Sequence, residues 1–242
     1  MKIVEKFKAK VSERMENPPV TIAFLGDSVT QGCFEIYQKD ENALATVHDR
    51  MSGYWNCVQK IFSLFYPEVP VTCINAGLSG TTAFVGLHRV ERDVLAYNPD
   101  LVVVCFGLND CRRGESGIER YSGALEGIFK KLLDAGKEVI FMTPNMSNTK
   151  ISPHIRKEDS LIYETAQEIM GLQNDGILDK YMDAARDVCK TYGIPVCDCY
   201  AKWKQMETCG IDVTELLSNK INHPIREMHW LFAGMLVDTM LS

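Results

Sequence analysis

Short apolar runs alternate along this chain with longer segments in which apolar residues recur every three or four positions. The runs predict β-strands at residues 20–25, 69–74, 101–106, 138–142 and, in a shorter form, 195–197. The longer segments predict helices at 54–65, 82–97, 118–135, 159–192 with an interruption near 171–176, and 228–241. Residues 1–17 alternate charged with single apolar residues, which predicts a short amphipathic helix.

The order of these elements indicates the fold class. Short strands that alternate with long helices are typical of a parallel sheet covered on both faces. Five strands in this rhythm predict one doubly wound α/β domain with a flavodoxin-like strand order. We expect this single domain to span residues 1–242, with 1–19 as an N-terminal helical extension and 147–178 as a flap insertion near the carboxyl edge of the sheet.

Composition and charge narrow the classes of partner. Apolar residues make up 46% and charged residues 24% of the 242 residues, which is an ordinary globular mixture. The net charge of −6 offers no basic surface, so we expect no nucleic-acid partner. No apolar stretch approaches the ~20 residues that span a bilayer, and residues 1–17 lack the apolar core of a secretion signal. We therefore expect a cytoplasmic protein without a membrane partner.

The nine cysteines predict neither disulfides nor a metal site. Their number is odd, and Cys73 and Cys105 lie inside apolar runs, which favours free and mostly buried thiols. Cys197-Asp198-Cys199 is the one cluster to weigh for zinc. Structural zinc sites use gaps of two to four residues within each ligand pair, and this spacing does not supply two such pairs.

Residues of types that take part in catalysis follow three of the predicted strands, and one more precedes the last helix. Ser28 ends a Gly-Asp-Ser stretch after the first strand, and Gly80 lies in the stretch after the second. Asn109 follows the third strand, and His223 lies shortly before the last helix. Each has a plainer interpretation: a helix cap for Ser28, a turn for Gly80, an Asx-turn for Asn109 and a loop residue for His223. Because parallel strands end at one edge of a sheet, we expect them to converge there.

Together these residue types supply the parts that acyl transfer requires. A serine hydroxyl needs a base, and the histidine pKa of ~6.5 suits that work. Glycine lets a backbone N–H approach a substrate oxygen, and an asparagine amide can donate to a developing oxyanion. Of the five histidines we take His223 as the base, and we expect His229, at an apolar helix start, to be a packing residue.

The four blocks around Ser28, Gly80, Asn109 and His223 resemble those of the SGNH (GDSL) hydrolases, in the same order and over nearly the whole chain. The resemblance implies a three-layer α/β/α fold and hydrolysis of carboxylic esters or thioesters without a metal or organic cofactor. It also implies roles. Ser28 would be the nucleophile, and His223 the base and then the acid. The oxyanion hole would consist of the Ser28 N–H, the Gly80 N–H and the Asn109 side chain.

One position departs from the family pattern. The family usually carries an aspartate three residues before the histidine, to orient the ring, and here that residue is Lys220. Three alternatives remain open for the partner of His223. The side-chain carbonyl of Asn219 is one; a backbone carbonyl is another; and Asp212 or Glu215, folding back, is the third. A neutral partner stabilises an imidazolium less than a carboxylate does, so we expect modest turnover.

These observations favour an esterase that acts on a small acyl ester, above all an acetyl ester, of a carbohydrate or similar polar small molecule. Tyr37 and Tyr163 are aromatic residues that could stack on a sugar ring. The alternatives are a lysophospholipase or thioesterase acting on longer acyl chains, and a non-catalytic ligand-binding relative. Simple binding gives no reason to combine a nucleophile, oxyanion donors and a base.

Overall fold

The apolar runs of the chain form a central sheet in the computed structural model, which describes residues 1–40, 43–158 and 160–242. In these ranges the strands are β1 (Val20–Gly26), β2 (Cys33–Asp40), β3 (Ala43–His48), β4 (Val71–Gly77), β5 (Leu101–Cys105), β6 (Glu138–Met142) and β7 (Val196–Cys197). The α-helices of the same ranges are α1 (Lys2–Ser12), α2 (Ser28–Gln31), α3 (Tyr54–Phe65), α4 (Ala83–Asp93), α5 (Ile118–Asp134), α6 (Ser160–Asn174), α7 (Ile177–Tyr192), α8 (Cys199–Thr208) and α9 (Arg226–Leu241).

Five strands pair in the order β4-β1-β5-β6-β7, and every pair is parallel. Numbered along the chain within this sheet, the order is 2-1-3-4-5, so the predicted flavodoxin-like topology is confirmed. All five residues of β5 are buried, as expected for a central strand covered on both faces. On the helical layers α3 packs against α9, and α5 packs against α4 and α7.

The register of the sheet places three loops side by side. Gly26 at the end of β1 pairs with Gly77 at the end of β4 on one side and with Cys105 at the end of β5 on the other. The segments that follow these three strands therefore leave the sheet at the same edge. This is the edge at which open α/β sheets bind their ligands.

The predicted elements are found close to their expected bounds. The strand at 138–142 and the helix at 54–65 match exactly, and the helical region that follows Ser147 divides at Gly176 into α6 and α7. The predicted start of that region, Asp159, lies outside the described residues. The predicted helix 82–97 ends earlier, at Asp93, and a 3-10 turn follows it.

Two elements were not predicted. The first is the antiparallel hairpin of β2 and β3, which forms a second sheet of its own, and the second is α8. The hairpin follows the short helix α2 directly, so its first strand begins close to Ser28 in the sequence. Its strand β2 begins buried and becomes exposed toward Asp40.

The two segments that we expected to be additions to the domain have the following contacts. In α1, Ile3 and Phe7 are buried in the main core, and the Phe7 ring stacks on Phe62 at 4.6 Å. Helix α6 contacts both strands of the hairpin. The roles of these segments as an extension and a flap remain predictions. Across the described ranges, no helix has the length and apolar character that crossing a bilayer requires.

Candidate active site

A sharp turn after β1 presents Ser28. The side chain of Asp27 caps helix α2 by accepting the Val29 N–H at 3.0 Å, and Ser28 is the first residue of that helix. A Cβ on Gly26 would lie 2.8 Å from the Cys105 carbonyl oxygen and would also overlap the Thr30 side chain. Glycine is therefore required for so tight an exit from the sheet. The capping role considered for Ser28 belongs to Asp27, which leaves the serine hydroxyl available.

The imidazole of His223 meets that hydroxyl. Its Nε2 lies 2.9 Å from the Oγ of Ser28, and both residues are buried. Its Nδ1 lies 2.8 Å from the main-chain oxygen of Phe34. Because a carbonyl oxygen accepts only, Nδ1 carries the ring proton and Nε2 is free to accept the proton of the Ser28 hydroxyl.

The electrostatic setting keeps this ring neutral. Burial lowers the pKa of His223 to about 4, although the hydrogen bond to Phe34 by itself raises this pKa. At neutral pH the imidazole is therefore in the form that accepts a proton. His229, the rival histidine, is buried against the rings of Phe34 and Phe232, and its Nδ1 accepts the Tyr54 N–H at 3.0 Å. It is a packing residue, as expected.

The third partner of the site is the Phe34 carbonyl, not the Asn219 side chain. Asn219 Oδ1 accepts the main-chain N–H groups of Ile221, Asn222 and His223 at 3.0, 2.9 and 2.9 Å. A side chain two to four residues away satisfies these donors at little entropic cost, so Asn219 shapes the loop instead of binding the ring. Of the alternatives considered, the structure shows the backbone carbonyl.

The other two carboxylates are engaged elsewhere. Asp212 forms an ion pair with Lys150. Glu215 accepts from Lys220 Nζ at 2.8 Å, and Lys220 also donates to the Glu215 main-chain oxygen at 3.0 Å. Lys220 has φ +58°, so the residue that departs from the family pattern has a left-handed backbone, and Glu215 holds its side chain.

The loop after β4 packs tightly on α2. A Cβ on Gly77 would lie 2.6 Å from the Thr30 carbonyl carbon, and the Ser79 N–H donates to Gln31 Oε1 at 2.7 Å. Gly80 has φ +73°, and no heavy atom lies within 4 Å of the position that its Cβ would take. The loop is thus fixed at its base and open at Gly80.

The side chain of Asn109 links the loops that follow β1, β4 and β5. Its Nδ2 donates to the Thr81 main-chain oxygen at 3.1 Å and makes a longer contact of 3.4 Å with Asp27 Oδ2. The adjacent Asp110 accepts the Ala83 N–H at 3.0 Å, at the start of α4. The structure thus directs Asn109 toward the Ser28 turn and uses Asp110 to cap a neighbouring helix.

Burial also raises the pKa of the two carboxyl groups beneath this edge. The pKa of Asp27 and the pKa of Asp110 both rise to about 7, mainly through desolvation. The Arg89 guanidinium, itself buried, binds the main-chain oxygens of Gly26 and Ala76 at 2.7 and 2.5 Å. Arg89 therefore links the carboxyl ends of β1 and β4 through their main-chain oxygens.

Cysteines and other ligating side chains form no metal centre in the described part of the chain. Cys197 and Cys199 lie 3.8 Å apart at their sulfur atoms, and Cys209 is exposed. In the ranges that the structure describes, no group of three or more His, Cys, Asp or Glu side chains is arranged to hold a metal ion.

Sequence reasoning allowed for a backbone carbonyl as the partner of His223 but did not identify Phe34, and it did not single out Arg226, which forms ion pairs with Glu35 and Asp49. A main-chain oxygen carries no residue signature, so no motif could have indicated it. The available signal was the group Phe34, Ile36 and Tyr37, because aromatic and β-branched residues are enriched in strands.

Fold and site together define a three-layer α/β/α protein with a serine–histidine pair at the carboxyl edge of its sheet. A family model described as GDSL-like lipase/acylhydrolase matches residues 24–231. Because this match covers most of the chain, the protein belongs to the GDSL-like lipase/acylhydrolase family. The resemblance to the SGNH (GDSL) hydrolases is thereby confirmed.

Individual relatives agree with this assignment. An acetylxylan esterase of Geobacillus stearothermophilus is 28% identical over 132 residues, which are 51% of this chain and 58% of that protein. The solved structure of a lipase/acylhydrolase from Enterococcus faecalis matches with a TM-score of 0.67 at 21% identity, over 91% of this chain and 95% of that chain. A two-domain esterase active on acetylated mannans matches with a TM-score of 0.66 at 20% identity. This last match covers 97% of the present chain and 52% of the other, so the chain spans about half the length of that esterase.

Proposed function

We propose that this protein is a serine esterase that hydrolyses small acyl esters, above all acetyl esters, of a carbohydrate or a similarly polar small molecule. The observation that carries the proposal is the 2.9 Å contact between Ser28 Oγ and His223 Nε2, in a ring whose tautomer makes Nε2 the acceptor. Family membership supports ester hydrolysis. The names of two relatives, an acetylxylan esterase and an esterase active on acetylated mannans, support acetyl groups on carbohydrates.

In the acylation half-reaction, the Ser28 oxygen attacks the ester carbonyl carbon while its proton passes to His223 Nε2. A tetrahedral intermediate forms, and the former carbonyl oxygen carries the negative charge. When the intermediate collapses, the C–O bond to the alcohol breaks, and the imidazolium gives its proton to the departing alkoxide. The acyl group is then esterified to Ser28.

Deacylation repeats these steps with water. A water molecule attacks the acyl carbon and loses a proton to His223 Nε2, and a second tetrahedral intermediate forms. Its collapse breaks the bond to Ser28, whose oxygen takes the proton back from the ring. The carboxylic acid leaves, and the Ser28 hydroxyl is restored.

The oxyanion donors in this mechanism are the N–H groups of Ser28 and Gly80 and the side-chain amide of Asn109. The open space around Gly80 is consistent with the approach of a substrate oxygen to its N–H. The 3.4 Å contact between Asn109 and Asp27 is long for a hydrogen bond, so turning that N–H toward an oxyanion costs little.

A groove of about 510 Å³ lies beside the loop that leads to His223 and offers room for the alcohol part of an ester. Its lining combines polar residues, which include Gln38, His154 and Asn219, with Tyr37 and the apolar Ile36, Ile155 and Ile162. The Tyr37 ring is 52% exposed, so it is available to stack on a sugar. Tyr163, the other aromatic candidate, packs against a small buried cluster and is partly buried.

One feature favours a second candidate, hydrolysis of longer acyl esters. Leu78, Phe84 and Val85 expose apolar side chains close to Gly80 in the sequence, at 44%, 36% and 40%. Such a surface suits an acyl chain of a lipid or thioester better than a sugar. A cytoplasmic location remains a prediction from the sequence for either candidate.

The first test is hydrolysis of p-nitrophenyl acetate by the wild type, Ser28→Ala and the control Ser63→Ala. Ser63 donates only within its own helix, to Gln59 at 2.9 Å, so its loss should not affect turnover. We expect Ser28→Ala to reduce the rate to background and Ser63→Ala to retain it. Wild-type turnover by Ser28→Ala would reject the assignment.

Acyl length separates the two candidates. We expect kcat/KM to fall from p-nitrophenyl acetate to the butyrate and octanoate, and acetate to be released from acetylated xylo- or manno-oligosaccharides. A preference for octanoate, without release of acetate from the saccharides, would favour the lipid or thioester substrate. A chain that binds acetylated saccharides and forms no acyl-enzyme would be a non-catalytic relative.

A further inference from the structure

We propose that Arg226 is a positioning residue for the base. It holds the β2–β3 hairpin so that the Phe34 carbonyl meets and orients the His223 ring, in the absence of a carboxylate at the position of Lys220. This inference rests on the esterase function proposed above.

Arg226 contacts both strands of the hairpin at its base. Its Nη1 and Nη2 donate to the two carboxylate oxygens of Glu35 at 2.6 and 3.2 Å, and its Nε donates to Asp49 at 2.9 Å. Glu35 directly follows Phe34 in β2, and Asp49 directly follows β3. The guanidinium carbon also lies 4.3 Å from the centre of the Phe34 ring. Arg226 therefore restrains Phe34 in two ways: directly, through the Phe34 ring, and indirectly, through the neighbouring Glu35.

The hairpin needs such an anchor. Strands β2 and β3 pair with each other and form a separate sheet from the central five strands. A two-stranded hairpin is marginally stable by itself in water. The position of the Phe34 main-chain oxygen therefore depends on what attaches the base of the hairpin to the domain. The attachments include the buried Phe34 ring, the contacts of helix α6 with both strands, and the Arg226 network, which acts at the base of the hairpin.

The base and its anchor belong to one unit of structure. Arg226 is the first residue of α9 and stands three residues after His223, with Pro224 between them. Helix α9 is fixed in the core by buried residues that include His229 and Phe232. Any displacement of the hairpin relative to α9 changes the distance from Nδ1 of His223 to its acceptor. Arg226 opposes that displacement directly.

The Arg226 network restrains the hairpin more than the exposure of its side chains suggests. The side chains of Arg226, Glu35 and Asp49 are 37%, 43% and 32% exposed, and an isolated pair at such exposure stabilises a protein little. Here one guanidinium forms a two-pronged contact with one carboxylate and a further bond to another, which gives directional restraint as well as attraction. Its effect should therefore appear in the rate more than in the stability.

The charges around the ring determine the direction of the pH effect. Two titratable groups of the hairpin act on His223: Glu35 raises its pKa and His48 lowers it, and His223 in turn lowers the pKa of His229 in α9. Replacing Arg226 by a neutral residue leaves Glu35 and Asp49 without their cation and loosens the cover over the ring. Both changes favour the imidazolium, whereas a longer hydrogen bond to Phe34 acts the other way. Because burial is the largest cause of the lowered pKa, we expect the pKa of His223 to rise.

The test compares Arg226→Met with Arg226→Lys and with a matched control, Arg186→Met. Arg186 makes the same kind of network beside β7, the outer strand of the sheet: it donates to both carboxylate oxygens of Asp198 at 2.9 and 3.0 Å and to Asp183 at 2.7 Å. For Arg226→Met we expect kcat on p-nitrophenyl acetate to fall about tenfold to a hundredfold with KM nearly unchanged, because the base is misplaced. We also expect the acid limb of its pH–rate profile to move to higher pH. Arg226→Lys, which keeps the charge, should recover part of the rate, and Arg186→Met should behave as wild type.

A measurement without turnover separates this inference from the proposed function. The ¹⁵N signals of labelled histidine, assigned with His223→Asn, report the tautomer and titration of the His223 ring. We expect the Nδ1–H form at pH 7 in the wild type, and a higher titration midpoint in Arg226→Met. If the wild type hydrolyses no ester while these signals change as expected, the proposed function fails and the positioning role stands. If turnover is normal and Arg226→Met matches Arg186→Met in rate, acid limb and ring signals, the positioning role is overturned.

Discussion

The main-chain oxygen of Phe34 lies 2.8 Å from Nδ1 of His223 and gives the ring its tautomer. This contact orients the ring as a carboxylate partner would, because it leaves Nε2 as the acceptor that faces Ser28. It does not supply a full negative charge to stabilise the imidazolium. His223 is therefore a well-oriented base without a carboxylate partner, and we expect modest turnover.

Lys220→Asp restores the family's usual residue, and we expect it to leave kcat unchanged or lower. The single Nδ1–H is already donated to Phe34, and the substitution removes the Lys220–Glu215 contacts that fix the loop. The measurement is kcat on p-nitrophenyl acetate at saturating substrate. A gain of about tenfold, which corresponds to about 1.4 kcal/mol of transition-state stabilisation, would show that the carbonyl is not the working partner.

The pH dependence of kcat/KM should reflect the buried base. Burial lowers the pKa of His223 to about 4, so the neutral ring persists well below pH 6.5. We expect the acid limb to have its midpoint below pH 5.5, by about one unit from the ordinary histidine value of ~6.5. A midpoint at 6.5 would mean that water reaches the ring freely.

The same shift has a consequence for stability, and its sign is that of a carboxylate whose pKa is lowered by an ion pair. The folded pKa of His223 lies below the unfolded value, so the unfolded chain binds the proton first as the pH falls. The contribution of this group is fully present above pH ~6.5 and is lost as the pH falls toward 4. His229, whose pKa burial lowers to about 3, acts in the same direction.

Asn109→Ala tests the amide donor. Removal of one oxyanion donor typically lowers kcat by ~10²–10³, and we expect a loss of this size with little change in KM. Asn174→Ala is a suitable control, because Asn174 also donates its amide to a main-chain oxygen, that of Thr149 at 3.0 Å, but on an exposed helix end. If Asn109→Ala keeps its rate, the amide serves the Thr81 loop alone.

Gly77→Ala and Gly80→Ala should differ in kind. At Gly77 a Cβ would collide with the Thr30 backbone at 2.6 Å, so we expect a clear loss of the free energy of unfolding in urea. At Gly80 the space is open, and the left-handed backbone alone costs about 1–2 kcal/mol. Equal losses of stability in the two variants would contradict the tight packing of the loop on α2.

The fold was predictable because its signals are local. The fully apolar β5 and the alternation of short strands with long helices defined the parallel sheet. The hairpin was missed because β2 changes from buried to exposed along its length, so its apolar pattern is only partly strand-like. Helix α8 was missed because its apolar and polar residues separate only weakly onto two faces.

The positions of the site were predictable where side chains carry the chemistry and unpredictable where the backbone does. Ser28 and His223 lie together, because the topology brings the end of β1 and the loop before α9 to one edge. The partner of the ring could not be read from the sequence, since Phe34 offers only its carbonyl. Asn219 was a reasonable candidate by spacing, but nearby main-chain donors take its oxygen first.

The central claim is that the Ser28 oxygen becomes the acylated atom with His223 as its base. The most direct measurement is mass spectrometry of the protein after reaction with a fluorophosphonate, with the labelling rate compared in the wild type and His223→Asn. We expect one adduct, on the peptide that contains Ser28, and labelling at least about a hundredfold slower in the variant. An adduct on another residue, or equal labelling rates in the two proteins, would contradict it.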